Sequence, residues 1–257
     1  MNYDEIKKGI EFYKENGYIV FNIDNDDLID KVNDDVDKHL NKGQVKTNSK
    51  IYSYNDSPRI VESWKELESC KKLSLSRVVK GWLKNLYSLE PMAFSTINFL
   101  HSTQQPLHSD YVHFGTLPEG RLAGSWIALQ DIDPKSGPLQ IVPGSHKLDY
   151  FSYEMIVDSP PKKLEEVKKN YEMYEKWVIN MMKVKNLKPI TPKLRKGDCI
   201  IWEANLLHGS PDCENNKIPR KSQVTHWTFS DVEKHYNPVF SQRTKNKFVE
   251  RKVTIIN

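Results

Sequence analysis

In the stretch QQPLHSDYVHF, His108 and Asp110 stand two residues apart. On a strand or at its end, that spacing turns both side chains to one face, where an imidazole and a carboxylate can share one ion. A chain with 8 histidines and 34 acidic residues produces such a pair by chance, so a surface pair is the reading to beat. A second histidine, His208, lies in LRKGDCIIWEANLLHGSPD, where Gly197-Asp198 forms a turn, CIIW a strand and Gly209-Ser210-Pro211 a further turn. In an antiparallel sandwich, strands far apart in sequence lie side by side, so the two histidines and the carboxylate can meet on one rim. Two histidines and one carboxylate make the facial triad suited to oxygen-activating Fe(II), which leaves coordination positions open.

A 2-oxoglutarate molecule would fill two of those positions through its C1 carboxylate and keto oxygen. Its far carboxylate then requires a buried cation with planar, forked geometry. Arg220 lies twelve residues after His208, beyond the loop PDCENNKIP and at the start of SQVTHWTF, so a hairpin return would set it beside the metal strand. Without the histidine before it, Arg220 reads as a surface charge beside Lys217 and Lys221.

The elements that must position these groups follow from periodicity. Ile6, Ile10 and Tyr13 are at helical spacing, Asn16-Gly17 stops that helix, and YIVFNI follows as a β-branched, aromatic strand. Leu28, Val32, Val36 and Leu40 predict a second amphipathic helix, and Leu75, Val78, Val79, Trp82 and Leu86 a third. The front, about residues 1–91, is thus mainly helical. From Met92 the pattern changes to AFSTINFL, GSWIALQDI, LQIVPG, DCIIW and SQVTHWTF, short runs separated by Gly, Pro and Asp turns, which predict a sandwich or barrel over about 92–232. Between them, about 160–185, Leu164, Val167, Tyr171, Tyr174, Val178 and Met181 predict an inserted helix. Its place between the two metal-bearing segments suggests a lid, with Tyr171, Tyr174 and Trp177 available to cover a pocket. No linker divides the chain, so residues 1–257 read as a single domain.

The stretches HSDY (108–111), GSWIALQDIDPKSGPLQIVPGSHK (124–147), KGDCIIWEANLLHGS (196–210) and PRKSQVTHW (219–227) resemble, in order and spacing, the phytanoyl-CoA dioxygenase family of Fe(II)/2-oxoglutarate-dependent oxygenases. The resemblance implies a double-stranded β-helix, a cupin-like jelly roll that is mainly β with flanking helices. It implies iron held by His108, Asp110 and His208, and a far cosubstrate carboxylate held by Arg220 and the hydroxyl of Ser210. Trp126 matches a tryptophan lining that pocket, and Asn98 an asparagine near the cosubstrate. Their plain alternatives are a core ring, a turn residue and a backbone-satisfying amide. His146 in PGSH belongs to a loop-shaping motif, and His101, His113, His226 and His235 show no partner pattern and read as surface or core.

The implied reaction couples oxidation of 2-oxoglutarate by O2, giving succinate and CO2, to hydroxylation of a small organic substrate. Halogenases resembling this family carry a small residue where Asp110 stands, which ranks halogenation last. Desaturation uses the same ligands and stands second. From another class, a jelly-roll metal-binding module without turnover has no need of a cation matched to a dicarboxylate. A net charge of +4, with basic residues interspersed among acids, gives no nucleic-acid footprint. Three cysteines without a CxxC, Cys70, Cys199 and Cys213, read as reduced thiols, and the N-terminus lacks an apolar leader core. No stretch is long and apolar enough for a membrane helix, so a cytoplasmic protein is expected. The pattern specifies no oligomeric state.

Overall fold

The computed structural model describes residues 3–41, 50–54, 57–210 and 212–257, so Pro211 of the turn expected after His208 lies outside the described residues. Helix α1 (Tyr3–Asn16) ends at Gly17, whose φ of +81° is the left-handed conformation that glycine adopts without a Cβ penalty. Strand β1 (Tyr18–Asn22), helix α2 (Asp26–Asn41), the hairpin β2 (Lys50–Tyr54) and β3 (Ser57–Val61), and helices α3 (Glu68–Ser74) and α4 (Arg77–Tyr87) complete the front. The third helix expected from Leu75 to Leu86 begins at Arg77; Leu75 and Ser76 separate it from α3. The β2–β3 hairpin was not expected within a helical front.

The remaining strands are β4 (Pro91–Phe99), β5 (Gly115–Leu117), β6 (Leu122–Ala128), β7 (Gln140–Ile141), β8 (Asp198–Glu203), β9 (His208–Gly209), β10 (Ser222–Phe229) and β11 (Lys234–Tyr236), with helix α5 (Leu164–Val184) between β7 and β8. One seven-stranded sheet runs β1-β8-β6-β10-β4-β3-β2, antiparallel throughout. Against it lies a second, fragmented layer of short pairs, β7-β9 and β11-β5, extended by isolated bridges between His108 and His208 and between Ile141 and Ile190. The two layers form the expected jelly roll.

Residues of the large sheet alternate between two cores, as a strand period of two requires. Ile19, Ala123, Ile127, Cys199, Ile201 and Trp227 pack under the helical front with Ile29, Val32, Val36, Val79 and Leu83. Tyr18, Trp126, Ile200, Trp202 and Val224 face the second layer with Leu139, Ile141 and Leu206. Fully burying each such aliphatic or aromatic side chain contributes roughly 1.5–3 kcal/mol, so the helices clamp one face of the sheet and leave the other free to build a cavity.

The insert α5 lies along that cavity, with Val167, Lys168, Tyr171, Glu172 and Glu175 on the cavity side and its other face packed on the core. Tyr174 and Val178 are fully buried among Phe151, Tyr153 and Leu207. The Tyr174 hydroxyl accepts the Ser109 backbone N–H at 2.8 Å, between the two clustered ligand positions. The Tyr174 and Trp177 rings pack on Phe151 at 4.7 and 4.9 Å. Of the three aromatics expected to cover the pocket, Tyr171 alone lines it.

A buried carboxyl at the end of β8 makes stability depend on pH. Glu203 accepts the Asn205 backbone N–H at 2.8 Å and the Tyr150 hydroxyl at 3.0 Å, yet burial pushes its pKa from 4.5 up to about 7. The folded state therefore retains a proton that the unfolded chain has released. The stability this contributes is complete below about pH 4.5 and is lost as pH rises through 7. Glu203→Gln should abolish that loss: between pH 5 and 8 the unfolding free energy of the metal-free variant should fall by roughly 3 kcal/mol less than that of the parent. Urea titrations at the two pH values measure it, and parallel pH dependence in the two proteins would refute it.

Candidate metal centre

His108 enters the site from the segment after β4, and His208 from β9. Their backbones pair reciprocally, each N–H reaching the other's carbonyl at 2.9 Å. Each imidazole also places Nδ1 against the carbonyl two residues earlier in its own chain, Pro106 at 2.9 Å and Leu206 at 3.0 Å. With Nδ1–H donated there, both Nε2 atoms carry the lone pair, and the Gln105 amide, 3.3 Å from that of His108, is the group an ion would displace. Asp110 brings Oδ1 to 3.6 Å from Nε2 of His208. One ligand atom from each of His108, Asp110 and His208 lies within 4.8 Å of the others, and all three residues are buried.

The electrostatics suit a cation. Burial, helped by the neighbouring His208 and His113 rings, pushes His108 down to about 3, so the imidazole is neutral and ligating at physiological pH. Burial by itself would raise the Asp110 carboxyl, but the surrounding histidines, His208 and His226 foremost, more than offset it and hold the group well below the usual carboxylate range. The donor set, two imidazoles and one carboxylate on one side of a cavity, fits Fe(II).

That cavity, of about 780 Å³, runs between the two sheets and is lined by all three ligand residues and by Arg220, Trp126 and Ser210. Arg220 is 2% exposed, and no carboxylate lies in salt-bridge range of it among the described residues. Its guanidinium sits over the Phe99 and Trp126 rings at 5.7 and 5.8 Å, and its buried Nε has no acceptor. Burial lowers its pKa to about 10. An unpartnered buried guanidinium facing the cavity that holds the triad fits the far carboxylate of a dicarboxylate ligand.

Asn98 is placed elsewhere, contrary to expectation. Its parity on β4 turns it to the helix-facing side, where it accepts from Ser63 Oγ at 2.5 Å and donates to Gln223 at 3.2 Å. It joins the front helices to the sheet and does not line the cavity. His146 is structural as read, with Nε2 against the Lys14 carbonyl at 3.1 Å, and His101 and His235 also stay outside the cavity lining.

Sequence reasoning missed His226, His113, Trp202 and Gly124. His226 lines the cavity with Nε2 3.6 Å from Asp110 Oδ1. Strand parity could have found it, because residues 220, 222, 224 and 226 share the face already assigned to Arg220. His113 also lines the cavity, 5.9 Å from the His108 ring, and burial lowers its pKa to about 4. Trp202 donates Nε1–H to Asp110 Oδ2 at 2.7 Å and lies against the His208 ring at 4.4 Å, so one indole orients two ligands. Gly124 sits opposite Trp202 in the β6–β8 register, and a Cβ there would overlap the indole.

Gly124→Ala should therefore displace Trp202 and release Asp110 Oδ2. We expect Co(II) or Fe(II) affinity to drop 10–100-fold, with about 1–3 kcal/mol lost from overpacking. Trp202→Phe, which keeps a ring on His208 but loses the donor, should weaken metal binding without that strain. Metal titrations followed by visible absorption separate the two, and unaltered affinity in both variants would dismiss the indole as an orienting group.

Comparison with known proteins agrees with this site. A family model described as phytanoyl-CoA dioxygenase (PhyH) matches residues 13–222. The peroxisomal phytanoyl-CoA dioxygenase of Mus musculus is 24% identical over 243 residues, covering 87% of this chain and 68% of the relative. That of Homo sapiens is 24% identical over 265 residues, covering 95% and 73%. Among solved structures, the epimerase SnoN in complex with Fe3+, alpha ketoglutarate and nogalamycin RO superposes with a TM-score of 0.70 at 14% identity over 100% of both chains. EctD from S. alaskensis with 2-oxoglutarate and 5-hydroxyectoine superposes with a TM-score of 0.65 at 17% identity, covering 98% of this chain and 84% of that one. These structural likenesses share the fold. The family match spans most of the sequence and contains every triad residue, so the chain belongs to the phytanoyl-CoA dioxygenase family of Fe(II)/2-oxoglutarate-dependent oxygenases.

Proposed function

We propose that this protein is a hydroxylase of a small organic substrate, acting as one oxygenase domain made of the helical front, the jelly-roll core and the inserted wall. The observation that carries the proposal is a buried His-Asp-His triad sharing one cavity with a buried guanidinium that no carboxylate among the described residues neutralises. When bound, iron and 2-oxoglutarate supply the oxidising power, consuming O2 and releasing succinate and CO2.

The residues of the chain divide the remaining work. His108, Asp110 and His208 would hold the metal on one side only. Arg220 would anchor the far carboxylate of the cosubstrate, with the Ser210 hydroxyl beside it, and Trp126, whose ring lies under the guanidinium, would wall the same pocket. Val112, Phe114 and Val239 add apolar surface to the cavity lining. Selectivity then rests on which C–H bond this wall holds next to the open side of the triad.

Asp110 supports hydroxylation over halogenation, because the carboxylate occupies the position that a halide would need, and Trp202 and the histidines around it keep it charged. A metal-binding module without turnover would gain nothing from a buried, unpaired Arg220. The test is a succinate-release screen of a metabolite library with Fe(II), ascorbate and 2-oxoglutarate, followed by product mass from turnover in labelled O2 with chloride present. We expect one oxygen atom from O2 in the product; a chlorinated or desaturated product would overturn hydroxylation.

A further inference from the structure

A second arginine faces the cavity from a segment that the family match does not reach. Arg251 lies beyond β11, in the C-terminal segment, and its backbone N–H donates to the His235 carbonyl at 2.8 Å. The side chain then folds inward over Phe114, with Cζ 4.2 Å from the ring centroid, and lines the cavity. Nη1 donates to the His113 carbonyl at 3.0 Å. No carboxylate lies in salt-bridge range among the described residues. Glu62, the nearest acid to act on it, already accepts from Trp64 and Ser95 and pairs with Lys65. Arg251 is thus a half-buried cation whose remaining N–H groups have no acceptor among the described residues.

Its position separates it from the cosubstrate anchor. From Arg220, two residues before β10, the cavity-facing residues run through Val224 to His226, and His226 abuts Asp110. The Phe114 ring lies 4.8 Å from His226, and the Arg251 guanidinium is on Phe114. A cosubstrate stretched from Arg220 to the triad would fill the first half; Arg251 stands in the second, over Phe114. Arg59, the other cavity arginine, pairs in register with Phe99 and so belongs to the Arg220 end.

We propose that Arg251 anchors an oxyanion of the primary substrate, making that substrate a small free acid or phosphate monoester with an apolar body. The inference rests on the assignment of Arg220 to the cosubstrate. A fork of guanidinium donors matches a carboxylate or phosphate, and a partly desolvated cation gains most from such a partner. Val112, Pro238 and Val239 line the same part of the cavity and suit a hydrocarbon body. On the α5 wall, Lys168, Glu172 and Glu175 also line the cavity.

The test uses protein loaded with Ni(II) and saturated with 2-oxoglutarate, so that Arg220 is occupied, and titrates hexanoate, hexyl phosphate and uncharged hexanamide by calorimetry. We expect at least one anion to bind at least tenfold tighter than hexanamide, and Arg251→Gln to lose that advantage while its 2-oxoglutarate affinity stays at the wild-type value. Arg251→Lys should keep part of it, and the ranking of the two anions tells carboxylate from phosphate. Equal binding of hexanamide and the anions, binding of neither anion, or undiminished anion binding by Arg251→Gln would each refute the assignment. A wild-type protein that takes up no 2-oxoglutarate refutes the cosubstrate reading instead, and that titration is done first.

Discussion

His108→Ala and His208→Ala should each lower Fe(II) affinity by at least about two orders of magnitude, while the metal-free proteins fold as the parent does. The loss is expected because each variant leaves two protein ligands, and second-shell changes alone already cost 10–100-fold. Folding should survive because the pairing between these two positions is made by backbone groups, both N–H···O contacts at 2.9 Å, which alanine retains. Binding to the native state stabilises it by mass action, so the sharpest readout is the metal-induced shift in Tm. It should be large in the parent and nearly absent in both variants. A variant that kept the parent's iron affinity would remove that histidine from the ligand set.

How much of this could be read from the chain depends on the physical scale of each signal. Helix and strand periodicity is local, and it placed α1, α2, α4, α5, β1, β4, β6, β8 and β10 to within a few residues. The strands it overlooked are β5, β9 and β11, two or three residues long and too short to repeat a hydrophobic pattern, and the β2–β3 hairpin, five residues a strand, in a stretch read as helical. His108, Asp110 and His208 were legible because ligand chemistry restricts residue type and because the resemblance fixed which histidine to choose. Trp202 was not legible: its partnership with Asp110, 92 residues earlier, exists only through sheet register and the space left by Gly124. His226 lay within reach, because parity from Arg220 marks it, but a lone histidine in SQVTHWTF carries no chemical signal of its own. Asn98 failed for the converse reason. Its strand was right, but its parity on β4 turns it toward Ser63 and Gln223. The facing of α5 was not legible either, because an amphipathic stripe does not say which surface it will meet; Tyr174 and Val178 meet the core and Tyr171 the cavity.

Arg220→Met should raise the 2-oxoglutarate concentration needed for half-maximal turnover by at least about two orders of magnitude, and should leave the ligand-free protein as stable as the parent or more so. The two halves of this prediction have opposite signs for one reason. In the ligand-free protein the guanidinium is 2% exposed, its Nε has no acceptor and burial has lowered its pKa to about 10, so the folded state bears a desolvated charge without a partner. Replacing it with an apolar side chain of similar reach removes that cost and keeps contact with Phe99 and Trp126. Once the dicarboxylate binds, the same charge is worth several kcal/mol, because its loss strands a buried carboxylate with no counter-charge. Arg220→Lys should fall between, since it restores the charge without the fork. Chemical denaturation without ligand gives the first sign, and the 2-oxoglutarate dependence of Tm and of succinate release gives the second. The effect should fall on KM with kcat largely kept at saturating 2-oxoglutarate, because Arg220 would grip the end of the cosubstrate that does not react. An Arg220→Met protein with parental 2-oxoglutarate affinity would show that the guanidinium serves the fold alone; one that unfolds more readily without ligand would show that the charge is already satisfied in the free protein.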